Sequence, residues 1–206
     1  MSEEDAPQIY LVTPPQVDLE GFPDLLGRLL DGIDIACVRL ALSTRDEDSL
    51  ARAADALREV THARDVALVL SEHVLLAQRL GLDGVHLPDA ARSVRAARKT
   101  LGEDAIVGSF CGGSRHDGLS AGEAGADYVS LGPVRASPLG DGSFAEADLF
   151  QWWSEVIEIP VVAEGGLDEE TIRDLAPFAD FFGIGDEIWH EEDPLATLSR
   201  LSRAMA

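Results

Sequence analysis

Apolar positions along this chain fall into two alternating rhythms. Gln8–Thr13 (QIYLVT) is a short run suited to a buried strand, and Leu19, Phe22, Leu25, Leu26, Leu29 and Leu30 then recur at helical spacing across Leu19–Leu30. The couplet repeats. Ile33–Leu42 reads as a second strand; Thr44-Arg45-Asp46-Glu47 has the form of a capping box, and Leu50, Ala53, Ala54, Leu57 and Val60 mark one face of the helix after it. Val66–Leu70 (VALVL) is a continuous run of the fully buried type, followed by a short helix over Val74–Leu80 that Gly81 closes. Asp83–Leu87 pairs with a helix over Ser93–Leu101, and Ala105–Ser109 with one over Arg115–Ala124. Asp127–Leu131 leads through a long Gly132–Phe144 loop to a helix from Glu146 that carries Leu149, Trp152, Trp153 and Val156. Ile159–Leu167 breaks off at Gly165-Gly166, and Asp168 starts a helix that buries Ile172 and Leu175. Asp180–Ile184 is the eighth strand, and Asp193-Pro194 supplies an N-cap and a first-turn proline ahead of Leu195, Leu198 and Leu201.

Eight buried strands alternating with eight helices imply a parallel sheet, and repeats of ~25 residues close most economically as an α/β single (β/α)8 TIM barrel over residues 1–206. A doubly wound open sheet would instead carry a GxGxxG turn after the first strand. That turn is Thr13-Pro14-Pro15-Gln16, without a glycine. Any active site is then expected from the residues that follow each strand.

Composition narrows the chemistry. The net charge of −22 repels nucleic acid and anionic membranes. No apolar run approaches the ~20 residues needed to span a bilayer, and Met1-Ser2-Glu3-Glu4-Asp5 is acidic where a signal peptide would be basic, so a cytoplasmic protein is expected. Cys37 and Cys111 show no CxxC or Cys/His spacing and read as buried thiols. Basic residues are fifteen Arg and one Lys, Lys99, which lies in a helical run far from any strand end; Schiff-base chemistry has no lysine to use.

At the strand ends the chain resembles thiamine-phosphate synthase and its thiazole-tautomerase relatives. The likeness is carried by Ile9-Tyr10-Leu11-Val12-Thr13, Leu80 to Leu87 (LGLDGVHL), Gly125-Ala126-Asp127-Tyr128 with Gly132-Pro133-Val134, and Ile159 to Leu167. The resemblance implies thiamine biosynthesis: a transferase that joins a pyrimidine diphosphate to a thiazole phosphate, with Mg2+ and cationic side chains stabilising the leaving diphosphate. It also implies that the Gly165-Gly166 turn and the start of the helix after strand eight hold the thiazole phosphate.

Several positions depart from that pattern. After strand two the family's Gln-Leu-Arg-Glu-Lys becomes Arg39-Leu40-Ala41-Leu42-Ser43, and after strand three Asn-Asp-Arg becomes Ser71-Glu72-His73. Gly-Gln-x-Asp after strand four becomes Pro88-Asp89-Ala90-Ala91, leaving Glu72 and Asp89 as the candidate metal carboxylates. Ser109 and Cys111 flank the serine position after strand five, and the Thr-x-Thr-Lys loop after strand six becomes Ser137-Pro138-Leu139-Gly140. The apolar residue before the two glycines is Glu164, and the small serine that meets phosphate after strand eight is Asp186.

The candidate catalytic residues are therefore Glu72 and His86, and the candidate ligand-binding residues are Arg39, Ser71, Cys111, Ser137, Gly165, Gly166 and Asp186. Each has a plainer reading: His86 as a hydrogen-bonded core histidine, Glu72 as an ion-pair partner of Arg39. A lone arginine at a barrel mouth requires either Glu72 or a bound anion. Asp186 is read as a built-in anion that accepts from free N–H groups where the family binds phosphate. Three functions remain open: an active synthase with an altered site, a tautomerase-like or other enzyme on a less anionic small molecule, and a non-catalytic binding or regulatory protein. By analogy the barrel is expected to pair as a homodimer through outer helices, with the Trp-rich helix as a candidate face.

Overall fold

In a computed structural model that describes residues 6–206, eight parallel strands close into a barrel in sequence order. The acidic Met1–Asp5 segment lies outside the described residues. Strands β1 (Gln8–Val12), β2 (Ile35–Leu40), β3 (Ala67–Ser71), β4 (Gly84–Leu87), β5 (Ile106–Phe110), β6 (Tyr128–Leu131), β7 (Val161–Glu164) and β8 (Phe181–Ile184) alternate with helices α1 (Phe22–Gly32), α2 (Glu47–His62), α3 (Val74–Leu80), α4 (Val94–Leu101), α5 (Arg115–Glu123), α6 (Ala147–Val156) and α7 (Glu169–Leu175). Two helices follow β8: the four-residue α8 (Asp186–Trp189) and α9 (Pro194–Arg203). The TIM barrel expected from the alternation is present.

Period-two alternation sorts each strand into two cores. Outward residues such as Leu11, Val38, Leu68, Leu70, Val107, Val129 and Phe182 pack against the helices in one continuous layer, while Tyr10, Cys37, Val69, Tyr128 and Val162 fill the barrel interior. Burying the outer layer is what holds the helices on, at ~25 cal/mol per Å2 of apolar surface removed from water.

A repeated aspartate pins alternate strand pairs at the N-terminal end. Asp83, Asp127 and Asp180 stand just before β4, β6 and β8, and each accepts a backbone N–H from the neighbouring earlier strand: Leu68, Val107 and Val161, at 2.7 Å in every case. A carboxylate is suited to this place because the first N–H of an inner strand otherwise has no ladder partner.

Helix entry is set by local caps. Asp46 caps α2 by accepting from Ser49 N at 2.9 Å. Thr44, the residue read as N-cap of a capping box, instead accepts from Asp46 N at 3.1 Å. The shorter route from Asp46 wins, and the helix begins at Glu47. Asp168 and Asp193 cap α7 and α9 as the sequence indicates, and Gly81 ends α3 at φ +62°. Trp153 is buried, with Nε1 donating to Ile159 O at 2.8 Å, whereas Trp152 is half-buried beneath the Arg115 guanidinium. No described helix is long and apolar enough to cross a membrane.

Candidate functional site

The C-terminal ends of β2, β6, β7 and β8 converge on one polar cluster. Arg39, at the end of β2, is 7% exposed, and its Nη2 donates to Glu164 Oε2 at 2.7 Å with a longer Nη1 contact to Oε1 at 3.4 Å. Ser130 Oγ on β6 also donates to Glu164 Oε1. Arg39 therefore pairs with Glu164 across the barrel, rather than with Glu72. Its guanidinium lies 5.6 Å from the Tyr10 ring centre. Burial works against its charge, but the Glu164 carboxylate more than offsets this and holds Arg39 above its usual pKa.

Glycines make room for Glu164. A Cβ on Gly183 would stand 2.8 Å from Glu164 Cβ, and one on Gly132 would stand 2.2 Å from Glu164 O. The following turn needs glycine for its backbone as well: Gly165 and Gly166 have φ of +86° and +78°, and added Cβ atoms would press on Pro133 and Arg135 at 2.9 Å. Those contacts come from the loop after β6, which is tied to the turn by donation from Val134 N and Arg135 N to Gly165 O at 2.9 and 3.1 Å.

The N–H groups at this turn are already used. Gly166 N and Leu167 N donate to Glu187 Oε1 at 3.0 and 3.1 Å, and Gly185 N donates to Glu187 Oε2 at 2.9 Å. The carboxylate that takes these donors is Glu187, not Asp186, the residue the sequence pointed to. Asp186 is exposed, while the longer Glu187 side chain on the next residue reaches back over the turn. Sequence reasoning missed Glu187 because α8 is too short for any periodicity; the signal available was a carboxylate two residues after Gly185, within reach of its own loop.

These residues enclose a cavity of about 110 Å3 lined by Arg39, Ser137, Glu164, Gly165, Gly166, Asp186 and Glu187, among others. Five of the sequence candidates meet there. A second, larger cavity of about 740 Å3 lies over β4, β5 and β6 and takes in Asp89, Arg92, Cys111, His116, Asp117 and Phe144. Burial pushes the Cys111 thiol up to about 12, so it is a neutral wall of this cavity at neutral pH. Asp89 Oδ2 accepts from Ser93 Oγ at 2.6 Å, while its Oδ1 is buried without a partner among the described residues.

The other candidates lie apart from both cavities. Glu72 is exposed and holds φ of +68°, a left-handed backbone uncommon for a non-glycine residue. Ser71 is half-buried at the end of β3, paired in the sheet with His86. His86 is buried inside the barrel, its Nδ1 3.0 Å from Tyr128 Oη, which is 2.5 Å from Tyr10 Oη. Desolvation, with the Arg39 charge second, lowers the His86 pKa well below its usual range. That geometry describes a neutral core histidine in a buried hydrogen-bond chain.

Glu72 and Asp89 are the two carboxylates that the resemblance offers to magnesium, an ion usually held by one or two carboxylates together with waters and substrate phosphates. Among the described residues, no three His, Cys, Asp or Glu side chains gather in a way that could hold a metal ion. Glu72 is exposed, and Asp89 offers one unpartnered oxygen.

Sequence comparison assigns this barrel to a family. Residues 9–180 match the family model for thiamine monophosphate synthase. The chain belongs to the thiamine monophosphate synthase family. Its relatives in this family include thiamine-phosphate synthase of Rhodospirillum centenum, 39% identical over 201 residues, 96% of this chain and 97% of that protein. Thiamine-phosphate synthase of Erythrobacter litoralis is 38% identical over 204 residues, 95% of each chain. Among solved structures, thiamine phosphate pyrophosphorylase from Pyrococcus furiosus superposes with a TM-score of 0.83 at 20% identity, covering 98% of both chains, which is a likeness of fold. The synthase-family barrel is thus the frame on which the Arg39–Glu164 pair and the Glu187 contacts are built.

Proposed function

We propose that this protein serves thiamine biosynthesis at the C-terminal mouth of a synthase-family barrel, bringing together a pyrimidine and a thiazole partner, with release of diphosphate far slower than in an ordinary enzyme. The observation that carries this reading is at the end of β2: Ala41 and Ser43 stand where the family has Arg and Lys, and the Arg39 guanidinium beside them is already neutralised by a buried carboxylate 2.7 Å away. A departing diphosphate needs cations or donors aimed at the charge that develops, and loss of one such donor typically lowers rate by ~10^2 to 10^3. The near-full-length relatives named thiamine-phosphate synthase support the placement in the pathway.

The direct test combines a pyrimidine diphosphate, a thiazole phosphate and Mg2+ and follows pyrophosphate release. Turnover below ~1 s−1 is expected, and turnover within the ordinary range of roughly 1 to 10^3 s−1 would overturn the reading. A second reading, a ligand-binding protein without turnover, is favoured by the three N–H groups that Glu187 occupies. Thermal stabilisation by thiamine or its phosphate with no pyrophosphate release would select it.

A further inference from the structure

We propose that the N-terminal end of the barrel, opposite the mouth, holds a second binding site, one that takes an uncharged one- or two-ring aromatic molecule. A cavity of about 260 Å3 opens there, bordered by the first residues of the strands. Barrel interiors are ordinarily filled by layers of bulky side chains. Here Cys37 on β2 and Ala67, its partner in the sheet on β3, are too small to complete the layer. Ala67, Ile106, Pro160 and Phe181 make a rim that is only partly buried, above a buried floor of Tyr10, Tyr128 and Val162. Apolar side chains facing an unfilled space forgo dispersion contacts and stay in water, and a ligand that fills the space restores both terms.

The lining also decides the charge of the occupant. Among the described residues no Lys or Arg borders the cavity, and a net charge of −22 repels anions. Asp127 is the one carboxylate at its edge, and its Oδ2 already accepts from Val107 N at 2.7 Å and pairs with Arg98. The Tyr10 and Tyr128 hydroxyls bond to each other at 2.5 Å, and Tyr128 Oη bonds to His86 Nδ1 at 3.0 Å. What is left to a ligand is apolar surface and the rings of Tyr10, Tyr128 and Phe181, with the uncharged Gln8 amide at the edge. That combination suits a flat neutral ring. Size sets the upper bound: an apolar cavity of ~150 Å3 is enough for benzene, so 260 Å3 has room for a fused two-ring molecule.

The site is separate from the mouth and does not depend on the chemistry there. Tyr10 lines the lower cavity, whereas Arg39, whose guanidinium lies 5.6 Å from the Tyr10 ring centre, lines the upper one. One layer of side chains divides the two, so ligands at the two ends do not compete.

Indole is the probe. Titrated into the full chain and followed by calorimetry, it is expected to fill one site per barrel with a Kd of about 1 mM or tighter. Indole-3-acetate, the same ring carrying a carboxylate, is expected to bind at least tenfold more weakly. Ala67→Leu fills part of the cavity and is expected to weaken indole at least tenfold, with circular dichroism unchanged. Should that variant misfold, a crystal of the wild-type protein soaked in indole locates the ring directly, with density expected against Ala67 and Phe181. Removing residues 1–5, which precede Gln8 at the cavity edge, is expected to leave the affinity as it is. A ring found at the mouth, equal affinity for the acid, unchanged affinity in folded Ala67→Leu, or no binding up to the solubility limit of indole overturns the proposal. A tenfold gain on truncation also overturns it, by making the N-terminal segment the occupant.

Discussion

The two cavities at the barrel mouth are built on opposite terms. Around Gly165–Gly166 the donors have internal partners: three N–H groups go to Glu187, and most of the Arg39 guanidinium goes to Glu164. Over β4, β5 and β6 the cavity is nearly seven times larger, 740 against 110 Å3, and Asp89 leaves an oxygen buried without a partner. The family feature that is easiest to see, the glycine turn, is therefore the part already closed by the chain's own side chain. The less conspicuous cavity is the part with room for a ring.

The largest expected effect attacks the filled side. Arg39→Ala strands Glu164, which is 3% exposed, and breaking a buried pair by removing one partner costs ~3–5 kcal/mol. Urea denaturation should show that loss, whereas the double change Arg39→Met, Glu164→Leu should recover most of it. If Arg39→Ala is neutral, the pair is not what closes the floor.

A smaller effect concerns the interior beneath. The His86 pKa is held well below 6.5 in the folded protein, so below pH 6.5 the unfolded chain binds the extra proton. Stability is then fully present above pH 6.5 and declines as pH falls, with a slope approaching ~1.4 kcal/mol per pH unit until the folded histidine also titrates. His86→Asn should flatten that slope between pH 6.5 and 5. A slope unchanged by the substitution would assign it to other groups.

Next comes the helix that leaves the glycine turn. Asp168 accepts from Thr171 N at 2.8 Å, and this backbone bond, followed by the Thr171 hydroxyl and Arg135, lowers its pKa. Asp168→Ala should cost about 1 kcal/mol, a typical value for a lost N-cap. With a depressed carboxylate, that contribution is present above the ordinary value near 3.8 and fades as pH falls through the lower folded value. Comparing wild type and variant by thermal melts at pH 7 and pH 3 reads both.

The smallest effect belongs to the open cavity. Asp89→Asn keeps an oxygen to accept from Ser93 while removing a charge whose Oδ1 has no partner among the described residues, and stability should change by less than the ~1 kcal/mol of a lost cap. A large loss would mean that the aspartate is bound into the structure, and the contrast between the two cavities would narrow.

The barrel was legible because its pattern is repeated. Runs such as Val66–Leu70 and Asp127–Leu131 mark strands by burial alone; the structure moves the first one residue along, to Ala67–Ser71, and starts the second one residue later, at Tyr128. The recurrent Asp83, Asp127 and Asp180 stood at matching places in the sequence, yet their N–H partners lie 15 to 20 residues away, on neighbouring strands. The site was legible in part. Arg39 could be recognised as a charge requiring a partner, but Glu164 is 125 residues distant and only closure of the barrel brings it near. Glu187 escaped for the opposite reason: its reach back to Gly185 is local, but rotamer and loop shape decide it.

The most direct measurement is a crystal structure of the wild-type protein grown at high inorganic phosphate. Glu187 should remain on Gly166 N, Leu167 N and Gly185 N, with no phosphate at the turn. Phosphate bound to those N–H groups with Glu187 swung away would contradict the account.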